Sequence, residues 1–389
     1  MLDFYSTNSL SWEQLVYESN EPYNLHYGLI HVGLPTIIDL TKDKLPSIKD
    51  GNVPKKYELC KEGDIAFADA SEDTNEVAKV VEFYNLDSKK VVCGLHTIHG
   101  RNNNEQTAKG FLGYCFSSIV FHNQIRRIAQ GTKIYSINTR NFSEVFVGLP
   151  SRSEQQKIAI LLRLIDERIT TQNKIIEKYE SLIQAMCDTL IGKKTQQVML
   201  SFNDFGESYS GLSGKSAEDF GEGSPYITYM NVYQNQIIDI TDIGLVKINK
   251  TEQQSLVQYG DILFTLSSET PEEVGMGAVY LGETYPLYLN SFCFGIHITD
   301  ESKIFPPFLA YYVSSESFRK AVFPLAQGST RFNLQKGDFL KKVFPFPAIE
   351  QQRKIYSILK TYSDKLNIEK QMIKLLCCQK QYLLRQLFI

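Results

Sequence analysis

The chain is written twice. Slid against itself, the 389-residue sequence matches at an offset of 197 residues. Gly63-Asp64-Ile65-Ala66-Phe67 falls on Gly260-Asp261-Ile262-Leu263-Phe264, and Phe111-Leu112-Gly113-Tyr114 on Phe308-Leu309-Ala310-Tyr311. The offset persists through Ala129-Gln130-Gly131 and Ala326-Gln327-Gly328, Phe142 and Phe339, Pro150 and Pro347, and Leu190 and Leu387. Between these blocks Gly94-Leu95-His96 matches Gly295-Ile296-His297 with an extra shift of four, as a loop insertion would produce. The length is about twice that of a typical domain, so two cores are expected.

Each copy has two parts. The first is rich in Tyr, Phe, Val, Ile, Gly and Asn, with short alternating runs such as Lys79-Val80-Val81-Glu82-Phe83, and predicts a mixed domain with much strand. After Pro150, and again after Pro347, glycine nearly vanishes and apolar residues take helical spacing. Ile158, Leu162, Ile165, Ile169, Ile176, Tyr179, Ile183, Met186 and Leu190 step by fours and threes, with one polar gap at Gln172. The second copy repeats the seam with Ile355, Leu359, Tyr362, Leu366, Ile373, Leu376, Leu383 and Leu387, with Glu369 in the same gap and Lys380 as a further exception. About 39 helical residues would span about 58 Å. So long a helix outruns one small core, and the other copy's helix is its expected partner, antiparallel, with Gln172 and Glu369 near the crossing. The expected order is a globe over 1–150, a helix over 151–192, a linker over 193–198, a globe over 199–347 and a helix over 348–389, with the globes at opposite ends of the rods.

Composition is that of an ordinary soluble chain, with 43% hydrophobic and 22% charged residues, no long apolar run and no leader-like start. The expected location is the cytoplasm. Seven scattered cysteines without a CxxC pair fit reduced thiols rather than a disulfide framework. Cys93, His96 and His99 have spacing that could suit a metal, but a strand ending in a polar turn accounts for them, and no metal is expected. The net charge of −3 does not exclude nucleic acid, because one basic face on an acidic scaffold is enough to meet phosphates. Gly211-Leu212-Ser213-Gly214-Lys215-Ser216 falls short of a phosphate loop, since the required first glycine would be residue 209, a tyrosine. No adenine methyltransferase motif, nucleophile elbow or HExxH is present, so no catalytic residues are assigned.

Leu149-Pro150-Ser151-Arg152-Ser153-Glu154-Gln155-Gln156-Lys157-Ile158 and its echo Phe346-Pro347-Ala348-Ile349-Glu350-Gln351-Gln352-Arg353-Lys354-Ile355 resemble the lead-in to the spacer helices of type I restriction-modification specificity subunits, Arg152 being a less usual residue there. Leu164-Ile165-Asp166-Glu167-Arg168-Ile169 resembles the first of those helices. Gly214 to Gly221, Tyr226 to Val232, Ser6-Thr7-Asn8-Ser9 and His26-Tyr27-Gly28 look like target-recognition motifs. The likeness covers essentially the whole chain, although family members often carry a further segment before the first recognition domain. It implies an α+β fold, with two mixed α/β target-recognition domains joined by two long antiparallel coiled-coil helices in a pseudo-twofold repeat. It further implies that each globe reads half of a bipartite, asymmetric site on double-stranded DNA. The helices would dock two modification subunits that methylate adenine, and restriction subunits would join them. The chain itself would hold no cofactor, S-adenosylmethionine, ATP and Mg2+ being bound by those partners.

Base readout uses Arg or Lys for guanine and Asn or Gln for adenine, presented on loops. The candidates are Gln327, Ser329, Thr330, Arg331 and Asn333 in the second copy, and Gln130, Thr132, Lys133 and Asn138 in the first. Lys215, Tyr229, Asn231, Ser267, Ser268 and Glu269 join them, as do Asn8, His26, Tyr27, Ser71 and Glu72. The competing reading is a coiled-coil adaptor between proteins, without DNA.

Overall fold

The computed structural model describes residues 1–18, 21–104, 106–192, 197–249, 251–283 and 285–388. It divides into two compact units, Met1–Lys174 with Lys370–Ile389, and Ile175–Glu369. Each unit therefore holds one globe, part of the helix that follows it and part of the other copy's helix. Compactness does not follow the chain-order scheme of globe, rod, globe, rod.

In the first unit a five-stranded sheet is ordered Asp3–Tyr5, Thr97–Arg101, Ile65–Ala68, Val80–Asn85 and Ile37–Asp39. All its pairs are antiparallel except the last. The run Val80-Val81-Glu82-Phe83, read as alternating, is buried throughout, because this strand is covered on both faces. A smaller sheet joins Leu15–Val16, Ser47–Ile48, Tyr23–Leu25 and Val91–Cys93. The second unit repeats the plan with Gly206–Ser210, Cys293–Ile298, Ile262–Thr265 and Gly277–Val279 in its larger sheet. Its core gathers Phe202, Phe264, Phe318, Phe339 and Phe344, as Phe67, Phe111, Phe116 and Phe121 do in the first. Each such ring contributes roughly 1.5–3 kcal/mol through burial.

The repeated motifs turn out to be structural joints. Gly63 and Gly260 take φ of 88° and 90° at the turns into strands Ile65–Ala68 and Ile262–Thr265. Gln155 and Gln352, 1% and 0% exposed, pin the starts of the long helices. The Gln155 side chain accepts from the Ala108 amide at 2.8 Å and donates to the carbonyls of Pro150 and Gln106. Gln352 does the same at equivalent positions, accepting from Phe305 at 2.8 Å and donating to Pro347 and Lys303. The Tyr114 hydroxyl donates to Asp166 at 2.9 Å in the first unit, and the Tyr311 hydroxyl to Ser363 at 3.0 Å in the second.

One difference between the copies is matched at two positions. Glu82 in the first copy accepts from the amides of Gly110 at 2.5 Å and Gly113 at 2.8 Å, at the start of helix Phe111–Phe116. At the same offset the second copy has Val279 and Pro307. Proline has no amide hydrogen to satisfy, so the buried acceptor is not needed there.

The long helices run Arg152–Ile191 and Ile349–Gln386, 40 and 38 residues. Every seam position named above is buried or half-buried, including Gln172 and Glu369. Within the first unit the two segments are antiparallel. Asp166 pairs with Lys380 at 2.6 Å, Arg168 approaches Met372, and Ile158, Ala159 and Leu162 share a core with Leu383, Leu387 and Phe388. Lys380, the exception in the seam, is thus the partner of Asp166. Within the second unit Ile183, Cys187 and Ile191 share a core with Ile355 and Leu359. The seams also pack on the globes, so helix pairing and helix-on-globe packing coexist.

Two expectations need correction. Residues 193–196 of the expected linker lie outside the described residues, while Gln197 and Val198 belong to a strand, Gln197–Leu200, paired with Phe344–Pro347. The match of Gly94-Leu95-His96 to Gly295-Ile296-His297 also fails. His99 lies opposite Ala66 and Gly295 opposite Leu263, which places His99 with Gly295 and Arg101 with His297, at an offset one residue shorter than 197. Short Gly-x-His matches misled because the register is set by strand pairing. Among the described residues no helix is long and apolar enough to cross a membrane.

Candidate nucleic-acid interface

Each unit presents the same small platform. In the first, Ala70–Ser71 pairs with Tyr135–Ser136; in the second, Ser267–Ser268 pairs with Phe332–Leu334, which also pairs with Ala326–Gln327. A tight turn closes each platform at Gly131 or Gly328, with φ of 137° and 142°. A Cβ at these positions would come within 1.9 Å of the Ile134 carbonyl oxygen or 2.1 Å of that of Arg331, so only glycine fits.

The turn side chains point outward. Gln130, Thr132, Lys133 and Asn138 are exposed in the first unit, as are Gln327, Ser329, Thr330, Arg331 and Asn333 in the second. Among the described residues neither Lys133 nor Arg331 makes a salt bridge or a side-chain hydrogen bond. Two unengaged cations therefore stand on equivalent turns, one residue apart in register. Asn138 also accepts from the amides of Arg140 and Asn141, which stabilises its own turn.

In the second unit a cleft of about 390 Å³ opens beside the turn, lined by Tyr229, Met230, Tyr233, Ser267, Ser268, Glu269, Glu273, Phe292 and Arg331. Thr228 caps helix Tyr229–Gln234, which sets Tyr229 and Tyr233 one turn apart with stacked rings at 5.9 Å. The Tyr229 hydroxyl donates to the Ser267 carbonyl at 2.7 Å, and burial raises its pKa. Tyr233 donates to Glu273 at 2.7 Å, and that bond is the main reason Glu273 stays below the usual carboxylate range. Ser268 is buried and donates to the Thr270 carbonyl, while Glu269 is exposed.

A cleft of about 470 Å³ in the first unit has Ser6, Asn8, Tyr57, Asp69 and His96 in its lining, and by register only His96, at the place of Phe292, is shared with the cleft of the second unit. Tyr27 packs edge-on against His96 at 5.2 Å, Ser71 is half-buried and Glu72 exposed. Burial raises the Asp69 pKa, and His96 stands 3.1 Å from its carboxylate.

Four candidates are committed to the scaffold instead. Asn231, fully buried, donates to the carbonyls of Asp239 and Asp242. His26 is 2% exposed and accepts from the Gly28 amide as a helix cap. The Asn8 side chain donates to Asn24 and to the Cys93 carbonyl. Lys215, whose side chain is 2% exposed, pairs with Glu252 at 2.5 Å and donates to the Lys247 carbonyl. The Gly214-Lys215-Ser216 segment thus forms no phosphate cradle, and Ser216 with Asp219 makes a capping box instead. Sequence reasoning missed Tyr233 and Phe292, and took Met230 only as part of the Tyr226 to Val232 motif. Tyr233 was within reach, being four residues beyond Tyr229 on a short helix.

The family model described as "Type I restriction modification DNA specificity domain" matches residues 83–181 and 199–376. The chain is 26% identical over 266 residues to the type I restriction enzyme MjaVIII specificity subunit of Methanocaldococcus jannaschii, covering 62% of this chain and 60% of that one. It is 23% identical over 269 residues to the EcoKI specificity subunit of Escherichia coli K12, covering 63% and 56%. The matches thus span less than two thirds of either relative. In fold it is similar to the crystal structure of the type I S subunit from M. genitalium, with TM-score 0.56, 18% identity, and coverage of 100% of this chain and 94% of that one. A chain from a structural study of the assembly and conformational transition of the type I R-M system gives TM-score 0.55 at 16% identity, covering 86% and 83%. With the family model matching well over half of its residues, the chain belongs to the type I restriction-modification DNA specificity family.

Proposed function

We propose that this chain is the DNA sequence-specificity subunit of a type I restriction-modification complex. Each recognition domain reads one half of a bipartite, asymmetric site on double-stranded DNA. The long helices set the spacing and dock two modification subunits, which methylate adenine, and restriction subunits complete the assembly. The chain contributes no catalytic group, and S-adenosylmethionine, ATP and Mg2+ belong to its partners. It works in the cytoplasm. The observation that carries this reading is the paired platform. One backbone turn, forced by Gly131 and Gly328, displays Gln-Gly-Thr-Lys in one unit and Gln-Gly-Ser-Thr-Arg in the other. Like scaffolds with unlike side chains are what two readers of unlike half-sites require.

The reading is tested by reconstitution. Alone, the chain is expected to bind DNA weakly and transfer no methyl group. With the modification subunit and S-adenosylmethionine, adenine methylation at one bipartite sequence is expected. Assembly with that subunit but no sequence-dependent methylation would favour the adaptor reading, and methyl transfer by the chain alone would refute the assignment.

A further inference from the structure

Three side chains distant in sequence converge inside the first unit, and the recognition role uses none of them. Cys60, Cys93 and His99 are 6%, 2% and 0% exposed. The two sulfurs are 3.5 Å apart, and one potential ligand atom from each of the three residues lies within 4.8 Å of the others. His99 Nε2 is 2.7 Å from an Asp64 carboxylate oxygen, and Asp64 also accepts two bonds from Arg101 at 2.8 Å. With Nε2–H donating to Asp64, the other ring nitrogen carries a lone pair. That atom, Nδ1, is buried without a hydrogen-bond partner. An orphan acceptor in a dry interior is costly and calls for an explanation.

The second copy shows that the fold does not require these residues. The Cys60 amide donates to the Val91 carbonyl at 2.8 Å, as the Val257 amide does to that of Leu287. Cys93 lies beside Leu25 in a parallel pair, as Leu289 lies beside Ile227. His99 corresponds to Gly295 by register. The same place in the second unit therefore holds Val257, Leu289 and Gly295, the first two 1% exposed in an ordinary apolar core. Asp261 keeps the part of Asp64, accepting from Tyr209 at 2.7 Å and facing His297 at 2.8 Å.

We propose that Cys60, Cys93 and His99 bind a thiophilic divalent cation of the Zn2+ class, with Asp64 orienting the imidazole from behind. Two thiolates on one tetrahedral Zn2+, with bonds of about 2.3 Å, stand about 3.8 Å apart, close to the spacing found here. A ligating histidine characteristically donates its other N–H to a carboxylate, as His99 does to Asp64. Charge also balances: two thiolates neutralise Zn2+, Asp64 and Arg101 neutralise each other, and two protons leave as the cation enters. Three protein donors leave a fourth position for water. The Cys93-x2-His96-x2-His99 spacing hinted at a metal but named the wrong set. His96 turns outward to Asp69, and Cys60 arrives through the sheet.

The test uses the full chain, kept reduced, with the exposed Cys377 and Cys378 changed to serine so that they cannot compete. After chelation, Co2+ should bind at one equivalent with a thiolate-to-cobalt charge-transfer band that Zn2+ abolishes. Cys60→Val with Cys93→Leu, the second copy's own residues, should remove the band while circular dichroism stays native. His99→Gln should weaken uptake at least tenfold. X-ray absorption on the Zn2+-loaded protein needs no core variant and should show two sulfur neighbours. A Zn2+ shell without sulfur, equal Co2+ uptake by the double variant, or a Cys60–Cys93 disulfide in place of bound metal would overturn the proposal.

Discussion

The glutamines at 155 and 352 show how a single side chain carries a motif. Each spans one amide and two carbonyls. Changing either to alanine leaves those buried groups unpaired, so a loss of about 2 kcal/mol or more is expected in denaturant titrations. Conversion to glutamate, which has an acceptor but no amide donor, should not restore it. Glu82 makes a pH-dependent prediction. Burial raises its pKa from 4.5 to about 7, against the opposing pull of the Gly113 and Gly110 amides. The folded chain then holds a proton that the unfolded chain has released. The stability this contributes is full below about pH 4.5 and is lost as pH rises through 7. Wild type should lose on the order of 2–3 kcal/mol more than Glu82→Gln between pH 5 and pH 7.5. Parallel curves for the two proteins would contradict this. At the interface, Arg331→Ala should cost the assembled complex about 1–3 kcal/mol at one half-site and leave the preference at the other unchanged. Competition binding against half-site variants reads both quantities.

Among the elements, the long helices were the most legible in the sequence. A seam sustained over ten turns has few other solutions, and even its exception, Lys380, answers to Asp166. The turn glycines stood in the sequence only as repeated letters, and their positive φ is what explains the repetition. What could not be read was anything set by non-local pairing. Asn231 looks like a base reader until the carbonyls of Asp239 and Asp242 are seen to occupy it. Cys60 joins Cys93 only because a buried strand brings them together. If the helices act as a ruler, inserting one heptad near Gln172 and another near Glu369 preserves the seam and adds about 10 Å. At roughly 3.4 Å per base pair the unread spacer should grow by about three pairs, with both half-sites unchanged. Three pairs also rotate a half-site by about 100° at ~10.5 pairs per turn, so affinity is expected to fall. An insertion in one helix alone should misalign the seam and impair assembly. Methylome sequencing of the double insertion checks the rule, and an active complex with its old spacer would contradict it.

At the scale of the whole molecule, duplication explains both the symmetry of the scaffold and the asymmetry of what it displays. Joints such as Gln155 and Gln352 are kept in both copies, while turn residues and core fillings diverge, in matched sets where packing demands it. Each globe has its own aromatic cluster, with Phe67, Phe111 and Phe121 in one and Phe202, Phe264 and Phe339 in the other, completed by segments of both long helices. No residue belongs to both clusters, so one globe's sequence is expected to change without the other's. On the proposed function, each copy reads its own half of the target. The most direct measurement replaces residues 199–347 with the second recognition domain of another family member and sequences the adenine methylome of cells carrying the complete system. One half of the methylated site should change to the donor's sequence while the other half stays as in the parent. A change in both halves, or methylation that no longer depends on either, would contradict the account.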